Sequence, residues 1–135
     1  MAAEKTSLYE QGLAVRRQVL GSDYVDQSLA SATEFNQSLQ DFVTEHCWGA
    51  IWTRPGLELK TRSMLNIAML TVLNRPHELK LHVKGALRNG VTREEISEIL
   101  LQSAAYSGAP ASIDGFKVAA EVIANYDREN APPAA

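Results

Sequence analysis

The chain has 135 residues, of which 45% are apolar and 21% charged, with a formal net charge of -3. That is enough chain for one core-bearing domain and too apolar for a disordered one. The signs are interspersed, with no basic stripe to suit nucleic acid. No apolar run approaches the roughly 18 residues of a membrane span. The stretch MAAEKTSLYEQG has no signal-peptide core. Cys47 is the only cysteine, which excludes an intramolecular disulfide and any CxxC redox or zinc motif. The expectation is a cytoplasmic protein without a membrane or nucleic-acid partner.

In chain order, residues 7 to 20 read as a modestly amphipathic helix, with Ser7 and Glu10 as a capping box and Gly21 as its stop. A short helix from Asp23 to Ala30 follows. Thr33 is then placed to cap a longer helix whose apolar face runs through Phe35, Leu39, Phe42, Val43 and His46. Gly49 should end it, leaving WGAIWTRPG as a loop in which Trp48 and Trp52 suit either a pocket wall or an oligomer contact.

From about Leu57 to Leu73 comes a helix that between Met64 and Leu73 has only Asn66 and Thr71 as polar residues. Such a helix lacks a solvent face and belongs inside a core or an oligomer. Arg75-Pro76 ends it, because proline disfavours helical geometry in the residue before it yet fits a first helical turn. The helix opened by Pro76 closes at Gly90. Thr92 and Glu95 form a capping box with Val91 and Ile96 as staple, for a helix presenting Ile96, Ile99, Leu100 and Ser103 and ending near Gly108. Pro110 opens a last helix through Phe116, Val118, Val122 and Ile123. The predicted fold is all-α, a compact bundle of about six helices over residues 1 to 130, with 131 to 135 a disordered tail.

Glu78 and His82 lie one turn apart on one helix face. A carboxylate beside an imidazole raises its pKa and orients it, which prepares a general acid or base. A plain i,i+4 surface pair has the same spacing. Arg75, at the helix start, could clamp an anion or be an ordinary arginine at a helix junction. His77 points away from His82, and the Glu45-His46-Cys47 run fans its side chains apart, so no metal-ligand set emerges. Cys47 reads as a small buried apolar residue rather than a nucleophile.

The run NRPHELKLHVKGALRNGVTREEI together with YSGAP closely resembles the carboxymuconolactone decarboxylase family, and the likeness extends upstream through FVTEHCWGAIWTRPGLELKTRS and VLGSDYVDQSL to cover nearly the whole chain. The related alkylhydroperoxidase D-like branch carries CxxCxxxH at the same helix start. On this sequence its cysteines fall on Arg75 and Glu78 and its histidine on His82. The absent thiols rule out dithiol peroxidase chemistry.

The resemblance implies an all-helical homo-oligomer, a trimer or hexamer. It also implies cofactor-free decarboxylation of 4-carboxymuconolactone, a small dicarboxylate lactone, to 3-oxoadipate enol-lactone in the protocatechuate branch of the β-ketoadipate pathway. His82 would deliver a proton, Glu78 orient it and Arg75 grip a carboxylate, with Arg62, Trp48, Trp52 and Tyr106 lining the pocket. Alternatives are an acid–base enzyme on a related small lactone or acid, and a non-catalytic helical ligand-binding oligomer.

Overall fold

A computed structural model describes residues 6–134. The first residues of MAAEKTSLYEQG and the last residue of the expected tail lie outside the described residues. Among those described there are seven α-helices, one π-helical segment and no strand. No helix among them is long and apolar enough to cross a membrane. The chain divides into two compact units after Leu59.

The first unit begins with α1 (Ser7–Leu20) and α2 (Ser22–Ala30). The cap of α1 is Thr6, one residue earlier than expected; its side chain accepts the Tyr9 N–H at 3.0 Å. α3 (Gln37–Phe42) is short and runs into a π-helical segment, Val43–Trp52. Thr33 therefore does not cap the longer helix: Asn36 accepts the Thr33 N–H at 2.7 Å and closes a turn first, and the helical run starts at Gln37 and continues to Trp52.

Gly49 does not stop the helix either. A Cβ on Gly12 would lie 2.6 Å from the Gly49 nitrogen and collide with the Thr44 carbonyl oxygen, and one on Gly49 would strike the Leu8 carbonyl. These two glycines let α1 and the π-helical segment approach backbone to backbone, a second use of a missing Cβ that mimics a stop signal. Arg16 on α1 is only 5% exposed. Its Nη1 donates to Gln40 Oε1 and Thr44 Oγ1, each at 3.1 Å, and so ties α1 to α3 and the π-helical segment. Val19, Trp48 and Trp52 form this unit's core. The apolar face expected from Phe35 to Phe42 is not buried: Phe35, ahead of α3, is 95% and Leu39 60% exposed, and Phe42 is also exposed.

α4 (Leu59–Val72) leads into the second unit, which holds α5 (Pro76–Arg88), α6 (Arg93–Ser107) and α7 (Ala109–Glu129). Its core combines Ile67 from α4, Leu79, Val83 and Ala86 from α5, Val91, Ile96 and Leu100 from α6 and its approach, and Ala119 and Val122 from α7. The capping box of Thr92 and Glu95 forms as expected. Gly115 lets α7 press on Thr71 and Leu100, with a would-be Cβ 3.0 Å from each.

The expectation of an all-round buried helix fails within the single chain. α4 buries Ser63, Ile67 and Thr71 but exposes Leu65, Met69 and Val72, and Leu73 beyond its end is exposed as well. Two nearly wholly apolar grooves of ≈ 520 and ≈ 560 Å³ run between α4 and α6, one lined by Met64, Leu65 and Ile99, the other by Met69, Val72, Leu73 and Tyr106. A helix with two apolar faces and one neighbouring core leaves the second face outside.

Candidate acid–base site

The chain reverses from α4 into α5 through a tight helix end. Asn74 takes a left-handed conformation (φ 56°), its N–H donating to Thr71 O at 3.1 Å while the Arg75 N–H reaches Leu70 O at 2.9 Å. This paired closure satisfies the last carbonyls of α4 and suits asparagine, which tolerates that geometry. Arg75 is at once the end of that motif and the cap position of α5, with Pro76 following. At its other end α5 repeats the device with Gly90 (φ 88°), whose neighbour Val91 donates to Ala86 O at 2.9 Å. Asn89 Nδ2 donates to Ser63 Oγ at 2.9 Å, pinning the end of α5 to α4. The helix carrying Glu78 and His82 is thus fixed at both ends.

Along α5 the residues Leu79, Val83 and Ala86 are buried. His82 precedes Val83 by one position and lies at the edge of that face, half-buried, whereas Glu78 one turn earlier is exposed. Asn66 reaches from α4 to the ring: its Nδ2 is 3.4 Å from His82 Nδ1, a long contact in which the amide donates. Burial pushes the His82 imidazole down to about 4, with the charge of Glu78 pulling the other way and losing. The sequence reading expected the carboxylate to raise it. Water screens the exposed Glu78, while the ring itself has lost hydration.

The remaining candidates fall in different surroundings. Arg75 is exposed, and the concavity it borders with Asn74, Leu79 and Asp114 measures ≈ 10 Å³, too small for a lactone. Arg62 is half-buried on α4. Tyr106 is 84% exposed at the mouth of the second apolar groove. Trp48 and Trp52 stack on each other, ring centroids 4.7 Å apart, inside the core of the first unit. Cys47 is exposed, not buried as expected. Among the described residues no three His, Cys, Asp or Glu side chains gather as an ion would require.

The sequence reading missed Asn66 as a partner of the ring. Its signal was present: a lone amide in an otherwise apolar helical stretch is costly unless it is bonded.

Comparison with known proteins adds the chemistry. Residues 37–121 match the carboxymuconolactone decarboxylase family. The chain is 44% identical over 115 residues to the 4-carboxymuconolactone decarboxylase of Acinetobacter baylyi, covering 85% of this chain and 86% of that one. It is 42% identical over 116 residues to the nitrosuccinic acid decarboxylase of Metarhizium robertsii, covering 86% of this chain and 81% of that one. An uncharacterised 15.0 kDa protein of Paracoccus denitrificans is 36% identical over 88 residues, or 63% of this chain and 65% of that one.

Proposed function

The chain belongs to the carboxymuconolactone decarboxylase family, and from that premise we propose that this decarboxylase converts 4-carboxymuconolactone to 3-oxoadipate enol-lactone and CO2, serving protocatechuate breakdown in the cytoplasm. The likeness to the Acinetobacter decarboxylase along most of both chains carries the reading.

The substrate accounts for the chemistry asked of the protein. The departing carboxylate sits on the γ carbon of an α,β-unsaturated lactone. When its C–C bond breaks, the electron pair passes into the ring as a dienolate, and a proton must then reach the α carbon. The substrate is its own electron sink, so no cofactor is called for. The protein has to hold two carboxylates, favour charge on the carbonyl oxygen and supply one proton.

In this reading His82 supplies the proton. With its pKa lowered to about 4 by burial, its imidazole is neutral at pH 7, and the negative charge of a bound dianion favours the imidazolium. Proton uptake therefore accompanies binding, with Glu78 orienting the ring and supporting its charge. Arg75 grips the carboxylate of the acetate arm. Arg62 and Tyr106 are candidates for the pocket lining. The exposed apolar residues on α3 and α4 support a homo-oligomer, a trimer or hexamer, in which they are covered.

The Metarhizium relative favours a second reading, with nitrosuccinic acid as substrate. That too is a dicarboxylic acid whose breaking bond can leave its electrons in an adjacent acceptor, here the nitro group. The purified protein should release CO2 from 4-carboxymuconolactone with loss of the lactone's absorbance. Turnover of nitrosuccinate alone would select the second reading, and turnover of neither would remove both.

A further inference from the structure

α4 carries two polar residues in its apolar stretch, and they have different partners. Thr71 Oγ1 donates to Ile67 O at 2.7 Å, within its own helix. Asn66 instead extends to the ring of His82, 16 positions along the chain. A neutral imidazole has one N–H donor and one acceptor nitrogen, and which is which follows from the bond made by the other side. An amide NH2 can only donate, so an Asn66 Nδ2 facing Nδ1 makes Nδ1 the acceptor.

We propose that Asn66 is a positioning residue that fixes the tautomer of His82, placing the ring proton on Nε2. The claim of a positioning role in catalysis rests on the decarboxylase reading above. The tautomer itself does not. Both partners stand on helices whose relative placement is set locally, by the left-handed turn at Asn74 and the bond from Asn89 to Ser63. A contact between two rigid elements holds ring orientation better than one supplied by a loop. With Nδ1 accepting from Asn66, the proton of the neutral ring sits on Nε2. When a bound dianion draws a second proton onto the ring, Nδ1 becomes a donor and Asn66 must present its amide oxygen instead, so the tautomer set by the amide hydrogens is that of the neutral resting ring.

The test combines imidazole 15N spectra with kinetics. In the wild-type protein at neutral pH, the His82 signals (identified by their loss in His82→Gln) should show an unprotonated Nδ1 and a protonated Nε2. Asn66→Ala should give a mixture of tautomers, with kcat on 4-carboxymuconolactone down about tenfold, one hydrogen bond's worth, and KM little changed. Asn66→Asp, which offers Nδ1 an acceptor, should move the proton to Nδ1 and lower kcat further. A wild-type ring protonated on Nδ1, or a tautomer that ignores both substitutions, overturns the proposal. If the wild type fails to turn over the lactone while the tautomer still shifts in Asn66→Ala, the substrate reading falls and Asn66's control of the ring stands.

Discussion

The acid side of the stability curve offers a direct measure of how deeply His82 is held. An ordinary histidine titrates near 6.5, and burial brings His82 to about 4. At about 1.4 kcal/mol per unit, the difference corresponds to about 3 kcal/mol between the two protonation states. Between the two values the unfolded chain binds a proton that the native chain refuses, so the native state gains stability as pH rises through that window. The contribution is complete from about pH 6.5 upward and is lost as pH falls towards 4. His82→Gln abolishes this proton-linked term and serves as the reference. Urea unfolding of both proteins at fixed protein concentration, from about pH 4.5 to 7.5, should show wild-type stability falling more steeply than the variant's, by a few kcal/mol across the range. An NMR titration of His82 gives the same quantity without unfolding. Equal slopes for the two proteins, or a His82 that titrates at or above 6.5, would mean that Glu78 offsets or outweighs burial and that the ring is not held neutral.

Three further outcomes follow from the same reasoning. His82→Ala should lower kcat on 4-carboxymuconolactone by roughly 10²- to 10⁴-fold, the range for a positioned acid or base; a near-normal kcat removes it as proton donor. Arg75→Lys keeps the charge but loses the planar fork, and should raise KM about tenfold with kcat less affected; an unaltered KM takes Arg75 out of substrate binding. Gly49→Ala drives a methyl group into the Leu8 carbonyl, and thermal unfolding should register a loss of about 2 kcal/mol or more; an unchanged Tm would show that α1 and the π-helical segment separate at little cost.

Local chemistry explains which parts of this structure were legible in advance. The ends of α5 and the start of α6 were read correctly because Pro76, Gly90 and the Thr92/Glu95 pair act on their immediate neighbours. Glycine at 49 misled because a missing Cβ can serve a turn or a close approach, and only the position of α1 decides which. The burial of Arg16 was hidden for the same reason: its partners Gln40 and Thr44 are 24 and 28 positions away. In the candidate site, spacing alone revealed that Glu78 and His82 share a face. It could not weigh the exposed carboxylate against the desolvated ring, since burial depends on what packs beside α5. The apolar periphery of α4 was visible in the sequence, but whether its second face meets this chain or another surface was not.

The π-helical segment Val43–Trp52 has a consequence for sequence length in this region. Its backbone bonds span five residues where an α-helix spans four, and runs longer than a single turn are rare. An α-helix advances by about 100° per residue, so a one-residue deletion here would act mainly as a rotation. With the π-helical segment held against α1 by Gly12 and Gly49, the part that turns is α3. Leu39 and Phe42, with Phe35 just ahead of them, would then present their side chains in a new direction while the stacked tryptophans kept theirs. The extra residue acts as a phase setting for the exposed apolar edge of this unit, and single-residue insertions or deletions between Val43 and Trp52 should be far less tolerated than substitutions at the same positions.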